Sequence, residues 1–269
     1  MNSTVSIVVP MHDEAANVAP LVAEVAAAFG TGPDVELILV DDASTDGTAA
    51  AALAAAQNYP PLRVLQLARR SGQSTAVWAG MQAARHTLVG ILDGDRQNDP
   101  ADLRHFVDLW ADIAAAAGAD APGLGLLIGE RTRRQDSLLR RLSSRIANGV
   151  RRRLLDDGVR DSGCGLKLLP REVFRALPYF DHMHRFMPAL VRQLGLRVVP
   201  VPVRHRARPA GTSKYGIGNR LWVGLVDLAG VAWLARRNRR GPVRELCHGV
   251  TAGNAPATSP PASGPGLAA

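Results

Sequence analysis

Residues 88–100 read LVGILDGDRQNDP, an apolar run that passes without a break into two aspartates separated by one glycine. A strand buries its apolar run readily, but it cannot bury carboxylates unless something pairs them. Asp93 and Asp95 stand at i and i+2, and in extended backbone such side chains point to the same side. Hard oxygen donors with open coordination positions suit Mg2+ or Mn2+, ions that usually complete their shell with substrate phosphates. The stretch therefore predicts a buried strand whose carboxyl end carries a metal-assisted diphosphate site, with Gly94 letting the backbone approach a bulky ligand.

Working outward, the β-rich runs VSIVV (5–9), VELILV (35–40), LRVLQL (62–67), LVGIL (88–92) and GLLIG (125–129) alternate with Ala- and Leu-rich stretches at 15–29, 48–57, 73–85, 101–117 and 137–155. That rhythm predicts an α/β domain, a Rossmann-like, mostly parallel sheet flanked by helices. It breaks after residue 160, at DSGCGLKLLPR (161–171), and the prolines of VVPVPV (198–203) predict an edge or irregular strand. In open α/β sheets ligands lie beyond the carboxyl ends of the strands. The acidic segments after Pro10 (MHDE, 11–14) and after Val40 (DDASTDGT, 41–48) therefore belong to the same rim as LDGD. Ser44, Thr45, Asp46 and Gly47 read as turn and cap residues of the next helix. Asp42 exceeds what a cap requires.

The 269-residue chain has a formal net charge of +8, carried almost wholly by arginine, since Lys167 and Lys214 are its only lysines. Nine arginines fall between Arg131 and Arg153, and Arg236, Arg237, Arg239 and Arg240 follow an apolar segment. Such placement suits phosphates or an anionic membrane surface. With 4% aromatic residues and no RNA- or DNA-binding module, no nucleic-acid partner is expected. Cys164 and Cys247 have no metal-ligand spacing and form no disulfide framework, and Cys164 reads as a small buried residue rather than a nucleophile. His182, His184 and His205 show no zinc spacing. The start, MNSTVSIVVPMHDE, lacks the basic segment of an export signal, so a cytoplasmic chain is expected.

The segment LWVGLVDLAGVAWLA (221–235) contains Asp227 and falls short of the roughly 20 apolar residues of a membrane span. Trp222 and Trp233 are about three helical turns apart and share a stripe, with Asp227 pointing elsewhere. This helix is expected to dock on its own domain, to dock on a second copy in a homo-oligomer, or to lie along a membrane surface. From Gly249 onward the Pro/Gly/Ala/Ser composition predicts a disordered tail. The division is a catalytic domain at 1–216, an apolar and basic helix at 217–240, and a tail at 241–269.

In order, VSIVVPMHDE, VELILVDDASTDGT, SGQSTAVWAGMQAA, LVGILDGDRQNDP, GER, DSGCGLK and RPAGTSKYG resemble the inverting family 2 glycosyltransferases of the GT-A fold. That group includes dolichyl-phosphate mannosyltransferase and bacterial polyprenyl-phosphate sugar transferases. The resemblance implies a metal-dependent enzyme that moves a sugar from a UDP- or GDP-sugar to undecaprenyl or dolichyl phosphate and leaves a β-linked product. It implies that Pro10, His12 and Glu14 contact the nucleotide, that Val40 and Asp42 line the base and ribose, and that Asp93, Asp95 and Gln97 hold the metal. It places Arg131 and Arg140 near the phosphates, and Arg208, Gly211, Ser213 and Lys214 on a loop closing over donor and acceptor, with Asp93, Asp95, Arg208 and Lys214 catalytic. Three positions depart from the pattern: His12 where tyrosine is common, Arg96 where the residue is usually apolar or small, and Arg70 where asparagine is common.

A hydroxyl acceptor needs a general base, for which Asp161 is the candidate, whereas a lipid monophosphate is already anionic and needs none. The cations Arg140, Arg208 and Lys214 favour the phosphate. The rival readings are transfer to a saccharide or protein hydroxyl and a non-catalytic basic nucleotide- or nucleic-acid-binding protein. The leading one places the chain at the cytoplasmic face of the inner membrane, held by the 221–235 helix or by a membrane partner protein.

Overall fold

Strand β1 (Val5–Met11) is buried along almost its whole length, as a strand in a parallel sheet covered by helices must be. In a computed structural model that describes residues 4–116, 122–131, 149, 154–155, 157–204, 206 and 218–237, it lies near the middle of a seven-stranded sheet. It is followed by α1 (Ala15–Phe29), β2 (Val35–Asp41), α2 (Thr48–Ala56), β3 (Leu62–Gln66), α3 (Gln73–Ala83), β4 (Leu88–Ile91) and α4 (Pro100–Ala115). These match the predicted elements closely, because both periodicities are strong in the first half. Then come β5 (Leu124–Arg131), β6 (Lys167–Pro170), α5 (Arg171–Arg175), a 3-10 turn (Met183–Arg185), α6 (Met187–Gln193), β7 (Arg197–Val203) and α7 (Gly218–Arg237). The helix expected at 137–155 lies mostly outside the described residues, as does the tail.

The strand order is β3-β2-β1-β4-β6-β5-β7. β6 runs antiparallel to both β4 and β5, and the other pairings are parallel. The sheet is therefore mostly parallel, as expected, and DSGCGLKLLPR supplies its antiparallel insertion. Four residues are too few for a strand to declare itself by alternation, yet Leu168 and Leu169 are fully buried. β7 occupies the expected edge, where Pro200 and Pro202 leave no inner ladder incomplete. This topology brings the carboxyl ends of β1, β2, β4, β5 and β7 and the amino end of β6 to one rim.

Helix α7 packs on the unit that carries the sheet, with Leu228 and Val231 buried. Asp227 Oδ2 lies 2.9 Å from His182 Nδ1, so the one acid of the segment does face inward. Val226 and Trp233 remain outward, each 59% exposed, and the Arg237 guanidinium lies over the Trp233 ring. Among the described residues no helix is long and apolar enough to cross a membrane.

The buried acid of β2, Glu36, has partners on every side: Ser6 Oγ donates at 2.6 Å, the Arg85 N–H at 3.0 Å, and Arg63 adds its guanidinium. Burial pushes its pKa up, but the Ser6, Arg85 and Arg63 interactions outweigh it and hold the carboxyl below its ordinary value. A depressed folded-state pKa contributes stability that is complete above the unfolded value, about 4.3, and is lost as pH falls through the lower folded one. Glu36→Gln should therefore cost about 2 kcal/mol at neutral pH. It should also flatten the acid limb of stability against pH, as read from urea midpoints.

Candidate active site

The turn after β4 carries the two aspartates of the opening motif. Asp93 is held on both oxygens: Gln73 Nε2, from the first turn of α3, donates to Oδ1 at 2.9 Å, and Asn98 Nδ2 lies 3.4 Å from Oδ2. A Cβ on Gly165 would lie 1.9 Å from Oδ2, so the carboxylate fills the space that this residue leaves empty. Burial and the charge of Asp95 push Asp93 upward in pKa, while Lys167 and Arg131 pull it back. Asp95 Oδ1 accepts the Gln97 N–H at 3.1 Å. Gly94 has a packing reason to lack a side chain: its Cβ would strike Met11 Sδ at 2.3 Å and the Pro10 carbonyl at 3.0 Å.

This donor set fits a hard divalent cation. Two carboxylates that repel one another stand on one turn with Gln97, whose amide oxygen is by its chemistry a further hard donor. Among the described residues no group of three or more His, Cys, Asp or Glu side chains is placed to hold a metal. An ion at Asp93 and Asp95 would accordingly take part of its shell from substrate oxygens. Arg96 leaves the site open, because its guanidinium turns away to Glu24 of α1, with Nη2 at 2.5 Å. Arg70 is exposed.

Arg131 ends β5 and Asp161 begins the segment leading to β6. They form a bidentate pair, Nε to Oδ2 at 2.5 Å and Nη2 to Oδ1 at 2.8 Å. The expected phosphate cation and the expected alternative base are thus engaged with each other. Behind them Lys167 is buried, donates to the Cys164 carbonyl and is paired in register with Ile91 of β4. Burial holds Lys167 below its ordinary pKa, and burial raises Cys164, which stays a thiol as expected. His184 Nδ1 lies 2.7 Å from Ser74 Oγ, and burial with nearby Lys167 keeps its ring neutral.

At the adjoining half of the rim, His12 Nδ1 meets the Asp42 carbonyl at 2.9 Å. Glu14 Oε2 accepts from Asn17 Nδ2 at 2.5 Å. Pro10 is half-buried at the end of β1. Asp42 has a structural task that the sequence did not disclose: its oxygens accept the Ser71 and Gly72 N–H groups at 2.6 and 2.8 Å, anchoring the entry to α3. The Val40 side chain is fully buried beneath α3, beside Gly80. Gly47 is the N-cap of α2, and Asp46 just before it accepts the Thr48 N–H at 3.0 Å and also the Ala15 N–H of α1 at 3.0 Å.

Arg140, His205, Arg208, Gly211, Ser213 and Lys214 lie outside the described residues. Sequence reasoning did not single out Gln73, Asn98, Gly165 or Lys167. All four lie in or next to recognised motifs, but nothing in a linear reading says that they meet Asp93.

Residues 6–177 match the model of Glycosyl transferase family 2. The chain is 38% identical over 244 residues to the dodecaprenyl-phosphate galacturonate synthase of Rhizobium johnstonii, covering 87% of this chain and 68% of that protein. It is 35% identical over 216 residues to the undecaprenyl-phosphate 4-deoxy-4-formamido-L-arabinose transferase of Edwardsiella ictaluri, covering 79% and 63%. The chain thus spans about two thirds of the length of these relatives. In fold it is similar to a mannosyltransferase of Pyrobaculum calidifontis solved with GDP-Man and Mn2+, with a TM-score of 0.60 at 19% identity over 91% of this chain and 66% of that one. It is also similar to the glucosyl-3-phosphoglycerate synthase of Mycobacterium tuberculosis solved with Mn2+ and UDP, with a TM-score of 0.55 at 19% identity over 88% and 78%. The α/β, GT-A architecture expected from the sequence is the one observed.

The contact between Gly165 and Asp93 supplies a direct test. Gly165→Ala should displace the Asp93 carboxylate and destabilise the fold by about 1–3 kcal/mol through overpacking. Mn2+ affinity should fall about tenfold or more, as measured by thermal unfolding and titration calorimetry.

Proposed function

The chain belongs to glycosyl transferase family 2, and from that membership we propose that it transfers a sugar from a UDP- or GDP-sugar to a polyprenyl phosphate, undecaprenyl or dolichyl. The reaction is metal-dependent, inverts the sugar carbon and leaves a β-linked lipid phosphate sugar. The observation that carries this reading is a contrast between acids at one rim. Asp93 and Asp95 share a turn that suits a cation, whereas both oxygens of Asp161 are taken by Arg131. A carboxylate so engaged is a poor proton acceptor, which argues against a hydroxyl acceptor activated by Asp161. A lipid monophosphate brings its own oxyanion. Its oxygen bonds to the sugar carbon as the bond from that carbon to the diphosphate breaks, and no proton has to move. Relatives named for transfer to dodecaprenyl and undecaprenyl phosphate support the same acceptor.

In this scheme Asp93, Asp95 and Gln97 would hold Mg2+ or Mn2+, which would supply positive charge to the departing diphosphate. Gln73, Asn98 and the space at Gly165 orient Asp93, and Lys167, buried nearby, draws its pKa back down. Pro10, His12, Glu14 and Asp42 border the half of the rim assigned to the nucleotide. Arg140, Arg208 and Lys214 are assigned to the phosphates on the resemblance alone.

A lipid acceptor puts the reaction at a membrane surface. Outward Val226 and Trp233, followed by Arg236 and Arg237, suit the headgroup region of an anionic leaflet. The segment 217–240 is accordingly the membrane contact of a peripheral protein at the cytoplasmic face of the inner membrane, and 1–216 is the catalytic part.

Incubation with Mn2+, undecaprenyl phosphate and a panel of UDP- and GDP-sugars should yield a lipid-linked sugar with at least one donor, and EDTA should abolish it. Absence of product with every donor, or transfer to a free saccharide instead, would overturn the assignment. Asp95→Ala should lower turnover at least about a hundredfold without unfolding the chain. Asp93→Asn should abolish turnover, because it removes a negative charge from the proposed cation site and sets an amide NH2 against one of the two amide donors that Asp93 accepts.

A further inference from the structure

The geometry points to the cluster Arg96, Glu24, Arg206 and Asp99 as the device that shapes the turn bearing Asp95 and Gln97. Arg96, Glu24 and Arg206 are positioning residues for the metal site, an inference that rests on the reading of that turn given above. Arg96 stands at φ +60°, a conformation that glycine takes freely and a side-chain-bearing residue adopts only at a cost. Backbone strain of this kind persists where the surroundings over-determine it, and an observed outlier is the proper starting point for a functional argument.

At residue 96 the surroundings come from four directions. The Arg96 guanidinium meets Glu24 Oε1 through Nε at 3.2 Å and Nη2 at 2.5 Å. The other oxygen of Glu24 accepts Arg206 Nη1 at 3.1 Å. Arg206 Nη2 reaches Asp99 Oδ2, and Asp99 Oδ1 caps α4 through the Ala101 N–H at 3.0 Å. The backbone closes the ring, because the Arg206 N–H donates to the Gln97 carbonyl at 3.0 Å. The cluster thus ties α1, the turn after β4, the cap of α4 and the chain beyond β7 to one another.

The side chains are partly exposed, so each pair is individually weak. Their effect is geometric. A left-handed residue between two candidate ligands sets the direction in which each side chain leaves the turn, and Asp95 Oδ1 takes the Gln97 N–H in the resulting bend. Positions behind metal ligands typically govern affinity by about ten- to a hundredfold.

The test uses the full chain, with Mn2+ titrated calorimetrically in the presence of UDP and, separately, GDP. Arg96→Gly is the informative variant, because glycine accepts φ +60° and the fold is kept while the tether to Glu24 is cut. Mn2+ affinity should weaken about tenfold while Tm stays within about 4 °C, and Glu24→Gln should weaken it in the same direction. Wild-type binding with Arg96→Gly within twofold of it overturns the inference and leaves the proposed function standing. Affinity and Tm falling together in Arg96→Gly also overturns it, in favour of a purely structural cluster. A wild-type chain that binds Mn2+ with neither nucleotide overturns the reading of the turn itself, and the inference with it. Should Glu24→Gln fail to fold, Arg96→Gly decides alone.

Discussion

Two carboxylates of like charge stand at the end of one buried strand, and much of the rim is arranged around that repulsion. Asp93 is pinned by amide donors from Gln73 and Asn98 and seated against Gly165. Burial and Asp95 disfavour its charge, while Lys167 and Arg131 partly restore it. A protein that only needed stability would place a neutral residue there. The proposed metal role gives a reason to keep a carboxylate there, the usual compromise between stability and function.

The antiparallel β6 is the topological means to this end. By entering between β4 and β5 it brings Gly165 against Asp93 and buries Lys167 beside β4. The same connection carries Asp161 onto Arg131 at the end of β5. Charges in this half of the rim are thereby fixed in place, which suits stabilising a departing anion more than shuttling protons.

The other half is stitched differently. Asp46 accepts from the first residue of α2 and from the first residue of α1, Asp13 Oδ1 accepts the Thr45 N–H at 2.8 Å, and Asp42 anchors the entry to α3. Loops otherwise belong to the less stable parts of a fold; here acidic side chains bind them to one another. On the far side of α3, Ser74 meets His184, and His182 two residues earlier holds Asp227 of α7. The segment 182–184 thus links the helix with the outward Trp233 to α3.

The alternation of apolar runs determined the α/β class, the elements of the first half and the edge position of VVPVPV, because each of these follows from local periodicity or proline chemistry. The chemical character of LDGD was legible for the same reason, since the spacing of Asp93 and Asp95 is a property of adjacent residues. What surrounds them was not. β6 was too short to show a period, the buried position of Val40 depends on α3 lying over it, and the Arg131–Asp161 pair joins residues thirty apart. Arg96 is the sharpest case: in sequence it reads as a cation beside a proposed metal site, yet its direction is decided by Glu24, seventy-two residues away on α1. Local pattern specifies which groups a chain possesses; tertiary packing decides which of them meet, because side-chain charge interactions act across space and not along the sequence.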